Sequence, residues 1–303
     1  MTAIAPDPLA LPSLPRLSPA KTAWRRWLSR AVSVVLLGAI LLQLREIAPG
    51  QWREALPETP LFWLAFLALY LTQPAADWIV FRRLWRLPAG GLPILLGKRI
   101  ANELLMYSGE AYFYLWARKR IGLTTAPFGA IKDVNILSAM VGNLAGLILL
   151  LCVWPFLSGP LAAYAAPAVA SALAMLAVST VILLASRRLF TISPRQRIEI
   201  SLVHLTRLGA EVLLWAMLGL LALPQTPASL WLALSAFRLL VARLPLIPHK
   251  DLLFAALAAL LMGSQQTVVA FVAMTSVAML SLHLVCGLAL AVWTFAVEGR
   301  RAR

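Results

Sequence analysis

Apolar residues fall in long unbroken runs along this chain, separated by short polar stretches. Six of the runs read as membrane spans: Leu28–Leu44, Pro60–Phe81, Phe128–Phe156, Leu161–Ser186, Glu199–Leu223 and Thr267–Val297. Each approaches or exceeds the length a helix needs to cross a bilayer, about 20 residues. The period-2 alternation of an outer-membrane barrel is absent.

Two further segments break the pattern. One covers Pro93 to Arg120 and contains KRIANELLMYSGEAYFYLWARKR; the other covers Leu230 to Gly263. Each has an apolar half, an interruption and a second half. The interruptions are Ser108-Gly109 and PLIPHKD, residues 245–251. Glycine and proline weaken or stop helices at such points. Each half is too short to cross a bilayer alone, so both segments are expected to be re-entrant.

The placement of basic residues supports this reading. Arg16, Lys21, Arg25, Arg26 and Arg30 precede the first span, and Arg82, Arg83, Arg86 and Lys98 follow the second. Arg118, Lys119 and Arg120 follow the first broken segment, Arg187, Arg188, Arg195 and Arg197 follow the fourth span, and Arg300, Arg301 and Arg303 close the chain. The intervening gaps are nearly bare or offset by glutamates. With cytoplasmic gaps basic, both termini are expected in the cytoplasm. Alternation then holds only if each broken segment enters and leaves on one face, the first from the cytoplasm and the second from outside. The order span, span, broken segment, span occurs over residues 28–157 and again, reversed in direction, over 160–297. That is the pattern of an inverted repeat, in which paired broken helices point to a transport site. The expected fold is all-α: six transmembrane helices plus two re-entrant segments, a disordered tail over residues 1–27 and a short tail over 298–303.

Composition agrees. Of the 303 residues 61% are hydrophobic and 13% charged, against about one quarter charged in soluble domains. The net charge of +15 reads as membrane topology and contact with anionic lipid, not nucleic acid. Cys152 and Cys286 lie in apolar runs without a metal or redox motif.

Charges inside a bilayer are costly and face a cavity or a partner. Arg99, Asn102, Glu103 and Glu110 fall in the first broken segment, with Arg99 and Glu103 four apart and able to pair. Glu110 has no evident local partner. It titrates, pairs across to the second repeat, or meets Arg118. Lys132 and Asp133 open the third span, and Gly142–Gly146 offers a small-residue packing face with Asn143. His204, Arg207 and Glu211 share a face of the fifth span, as an internal ion pair or a cavity wall. Arg238, Arg243 and Lys250 surround the second break and are candidates for gripping a phosphate, since guanidinium forks and a helix N-terminus both suit that anion. His283 reads as a packed histidine. No HExxH, phosphate loop or GxSxG elbow occurs, so neither a metal nor another cofactor is expected, and no enzyme activity.

The pattern resembles the flippase-like membrane domain of the bacterial lysyl-phosphatidylglycerol synthases and their stand-alone relatives. The resemblance is carried by FRRLW (81–85), Asn102, Ser108-Gly109-Glu110, Arg118, Lys132-Asp133 and RLPLIPHKDLLF (243–254). The chain lacks the proline usual in the first break and the glycine-rich motif usual in the second. No soluble aminoacyl-transferase domain is visible, so synthase activity is not implied. The resemblance implies membrane passage of a lipid with an anionic or amino-acylated head group. Taken with the residues above, the expectation is a bacterial inner-membrane protein that moves a phospholipid or polyprenyl-phosphate-linked lipid, with Arg99, Asn102, Arg238, Arg243 and Lys250 toward the substrate. Glu103, Glu110, Asp133, Arg207 and Glu211 would serve gating or coupling. A membrane scaffold and an intramembrane lipid-modifying enzyme are the alternatives, and a homo-oligomer stays open.

Overall fold

A computed structural model describes residue 57, residues 59–87, 91–105, 108–120 and 128–153, scattered helical positions between 166 and 181, and residues 190–242, 249–262 and 265–301. The expected first span and N-terminal tail lie outside the described residues, as does most of the fourth span.

Among the described residues eight continuous helices can be traced: α1 (Pro60–Trp85), α2 (Leu92–Leu105), α3 (Ser108–Arg120), α4 (Phe128–Val153), α5 (Pro194–Ala222), α6 (Ala228–Val241), α7 (Lys250–Leu261) and α8 (Gln266–Arg301). Four of them, α1, α4, α5 and α8, are long and apolar enough to cross a membrane. The protein is therefore an all-α, multi-pass membrane protein. Large apolar side chains point outward, including Leu61, Leu64, Leu67 and Leu71 on α1 and Leu284, Val285, Leu288 and Val292 on α8. Such stripes are tolerated where the surrounding solvent is lipid. The last helix continues through the residues read as a tail as far as Arg301.

The two segments that did not read as spans are pairs of short helices. α2 and α3 have 14 and 13 residues, and α6 and α7 have 14 and 12. At 1.5 Å per residue each is about 20 Å long, well short of a bilayer core of about 30 Å. In the first pair Ser108 and Gly109 open α3 instead of lying between the helices. The two arms approach closely there: a Cβ on Gly109 would lie 2.0 Å from the Lys98 carbonyl oxygen. In the second pair His249 caps α7 with a left-handed backbone, φ 51°.

Termini are set by local chemistry. Pro194 starts α5, and Ser193 and Gln196 form a reciprocal capping box, with Ser193 N–H donating to Gln196 Oε1 at 2.9 Å and Gln196 N–H to Ser193 Oγ at 3.3 Å. α1 ends where Arg86 turns left-handed, φ 52°.

Packing is organised around two cores. One gathers Phe62, Phe66 and Tyr70 of α1 with Trp215 of α5, Trp231 of α6, Phe254 of α7 and Phe271 of α8. Its aromatic rings meet edge to face, Trp231 and Phe271 at 5.2 Å between centroids. The other gathers Val80 and Phe81 of α1, Leu95 of α2, Phe113 of α3, Val134 of α4 and Ile200 of α5. Each broken pair thus has a core of its own. Along α1 the change from one core to the other falls between Tyr70 and Val80, the stretch that holds Thr72, Pro74 and Asp77. Elsewhere α4 lies against α5 and α6, α1 against α2 and α5, and α2 against α8.

Candidate functional site

The first polar centre grows from the interruption between α2 and α3. Asn102, one turn before the end of α2, accepts the Gly109 N–H at 2.9 Å through Oδ1 and donates to Glu110 Oε1 at 3.0 Å through Nδ2. Ser108 Oγ donates to the Ala101 carbonyl at 2.9 Å. Asn102 therefore serves as a cap for the second arm, satisfying a donor that helix termini leave open. Lys98, one turn earlier, is 2% exposed. Its ammonium bridges Asp77 of α1 at 3.0 Å and Glu110 of α3 at 3.3 Å, and lies 5.7 Å from the centroids of both Phe81 and Phe113. Glu110 is thus partnered within its own hairpin, by Lys98 and Asn102, and not by Arg118.

A second contact joins this hairpin to α1. Pro74 sits inside α1 and has no N–H, so the carbonyl four residues earlier, that of Tyr70, loses its helical donor. Arg99 Nη1 supplies one, at 2.6 Å, and the guanidinium lies 4.8 Å over the Tyr70 ring. In a bilayer such a carbonyl must be satisfied from within the protein. Among the described residues no ion pair joins Arg99 to Glu103, although their spacing allows one. The proline-freed carbonyl takes the guanidinium instead.

The interruption between α6 and α7 is closed by another ion pair. Arg238, in the last turn of α6, holds Asp251, in the first turn of α7, through Nη2 at 2.8 Å and Nε at 3.0 Å. Lys250 Nζ donates to the Ala242 carbonyl at 2.6 Å. Arg243 lies outside the described residues. On α5, Arg207 pairs with Glu211 at 2.6 Å, and Thr72 Oγ1 of α1 donates to the same carboxylate oxygen at 3.2 Å. Glu211 also lies within electrostatic reach of Arg238 and Arg99.

The two interruptions come together. Glu103 of α2 shares a cavity of about 10 Å³ with His249, Asp251 and Leu252 of the second pair and with Ser276, Leu280 and His283 of α8. Asp251, Arg99, Lys250 and Arg238 are the charged neighbours of Glu103. The space is at the lower limit for one water. His283 is packed as expected: its Nδ1 faces the Met279 carbonyl at 2.6 Å and its ring meets Tyr70 edge-on at 5.1 Å. A second cleft, of about 90 Å³, lies between α1 and α5 near Arg83, Gln196 and Glu199, where Glu199 already binds Arg195.

Asp133 stands apart from both breaks. Its Oδ2 accepts from Thr191 N at 2.6 Å, Thr191 Oγ1 at 2.7 Å and Ile192 N at 3.1 Å, and Oδ1 lies 3.3 Å from Lys132. It fastens the segment leading into α5 onto α4. The small-residue face of α4 turns toward α6, where a Cβ on Gly146 would meet Leu240 at 3.8 Å.

Sequence reasoning missed Asp77, Tyr70 and Thr72 as participants. A lone aspartate and a proline inside an otherwise apolar span were the available signals. Among the described residues no group of three His, Cys, Asp or Glu is placed to hold a metal ion. Comparison with protein-family models, curated proteins and solved structures finds no match to this chain.

Proposed function

We propose that the chain is a lipid transporter of the flippase-like type. It would bind and translocate a phospholipid or polyprenyl-phosphate-linked lipid across a bacterial inner membrane. The observation that carries the reading is the meeting of Glu103, from one interrupted helix pair, with His249 and Asp251, from the other, around a small polar cavity. Interrupted helices facing each other within the membrane are how transporters build a polar site at that depth.

The charge pattern supports an inverted repeat of six spans and two re-entrant segments. In the first half an acid on a span, Asp77, faces a cation on the first arm, Lys98, which reaches an acid in the first turn of the second arm, Glu110. In the second half Glu211 occupies the span position, Arg238 the first arm and Asp251 the first turn of the second arm. The head-group phosphate competes with Asp251 for the Arg238 fork, aided by Arg99 and Lys250, and Glu103 and Glu211 respond to the exchange.

The saturation of Arg238 by Asp251 also favours a second reading, a membrane scaffold in which such pairs only hold helices together. Reconstitution into vesicles carrying a fluorescent phospholipid in one leaflet separates the two. A transporter accelerates transfer between leaflets, and Arg238→Gln abolishes this at normal abundance. A scaffold gives the lipid-only rate with either protein.

A further inference from the structure

The ring of His283 fixes the chemistry of the cavity. A backbone carbonyl only accepts, so Nδ1, 2.6 Å from the Met279 oxygen, carries the hydrogen. In the neutral ring Nε2 is then a bare lone pair. It is buried and has no hydrogen-bond partner among the described residues, in a residue that is 3% exposed and lines the same cavity as Glu103 and Asp251. A buried acceptor of this kind calls for a donor.

Among the described residues the surrounding charged side chains are engaged elsewhere. On α1, Tyr70 meets the imidazole with its ring. On α2, Arg99 is spent on the Tyr70 carbonyl. On α5, Arg207 is spent on Glu211. On α6, Arg238 holds Asp251, and on α7, Lys250 donates to Ala242. His249 faces the cavity from the start of α7. Glu103 alone among the cavity's carboxylates has no ion-pair partner within the described residues, and its charged neighbours are the Asp251 carboxylate and the cations Arg99, Lys250 and Arg238.

From this arrangement we infer that Glu103 is a proton-binding site whose acid form donates to His283 Nε2, directly or through one water, and so ties the first interrupted helix pair to α8 at the edge of the cavity. When the cavity opens, the O–H bond of Glu103 breaks and the proton passes to water. The resulting carboxylate no longer donates to His283, and it faces Arg99, Lys250 and Arg238 as well as Asp251. Reclosure takes a proton from water and re-forms the same bond. The site itself stands independently of lipid movement. Its role as the coupling ion of transport rests on the transporter reading.

The test is pH-difference infrared spectroscopy of the protein in lipid nanodiscs. A protonated-carboxyl carbonyl band is expected that disappears as pH is raised. It is lost in Glu103→Gln, shifted in frequency in His283→Gln and unchanged in Glu110→Gln. Absence of the band in the wild type, or its survival in Glu103→Gln, overturns the inference. If Glu103→Gln does not fold, His283→Gln decides, because an unshifted band means the proton is not shared with the imidazole. A titrating band in a protein that moves no lipid refutes the transporter reading alone. Lipid movement without the band refutes the proton site alone.

Discussion

Replacing Lys98 by Met keeps the shape of the side chain and removes its charge. Lys98 is 2% exposed and lies 3.0 Å from Asp77 and 3.3 Å from Glu110, with side-chain exposures of 7% and 26% for the two acids. Lys98→Met therefore strands two carboxylates, one of them almost wholly cut off from solvent. Removing one member of a buried pair costs about 3–5 kcal/mol, chiefly through the charge left behind. The ammonium also lies near two aromatic faces, Phe81 and Phe113, whose attraction adds about 1 kcal/mol. Asp77→Asn together with Lys98→Met removes the stranded aspartate along with the lysine, so the double variant should be more stable than Lys98→Met alone. Glu110→Gln, at the wetter end, should cost only about 1 kcal/mol. Unfolding by SDS titration in mixed micelles measures the wild type, these variants and Asp77→Asn alone on one scale. A Lys98→Met protein within about 1 kcal/mol of wild type would refute the reasoning, since a stranded buried charge costs several times that. So would a double variant that loses the sum of the two single losses.

The contact between Arg99 and the Tyr70 carbonyl, 2.6 Å, exists because Pro74 withholds a donor. Pro74→Ala should restore the helical bond and make Arg99→Met cheaper by about 1–2 kcal/mol than in the native background, read in the same SDS titration; additive losses would contradict this. Gly219→Ala places a Cβ 2.2 Å from the Trp231 ring and should cost about 1–3 kcal/mol, whereas Gly209, with nothing within 4 Å, should accept alanine with a slight gain. Equal thermal stability of these two variants would refute that account. Asp133→Asn weakens three hydrogen bonds to Thr191 and Ile192 and should cost about 1.5–3 kcal/mol, with limited proteolysis accelerated at residues 190–193. An unchanged cleavage rate would remove Asp133 as a fastener.

Much of the architecture was legible in the chain, and the reason is physical. Apolar run length against bilayer thickness is a local signal. It located α1, α4, α5 and α8, and it marked the two interrupted segments as too short to cross. The site was less legible because its contacts are made across the fold. Lys98 finds Asp77 one helix away, and Arg238 finds Asp251 only after the chain has turned back on itself. A pair of Arg99 with Glu103 was open on helical spacing alone. It gave way to an acceptor that Pro74 had created on a different helix, a competition that spacing cannot register. Glu103 lines the cavity together with Asp251, and the polarity of the first interrupted segment, odd in so apolar a chain, forms part of that lining.

The meeting of the two interrupted helix pairs is the central claim, and paired-cysteine cross-linking in native membranes tests it most directly. With Cys152 and Cys286 replaced, Glu103→Cys and Asp251→Cys should be joined by a short bifunctional thiol reagent as readily as Lys98→Cys and Glu110→Cys within the first pair. Leu115→Cys, on the outward face of α3, should not be joined to Asp251→Cys. Cross-linking within the first pair but never between Glu103→Cys and Asp251→Cys would contradict the account.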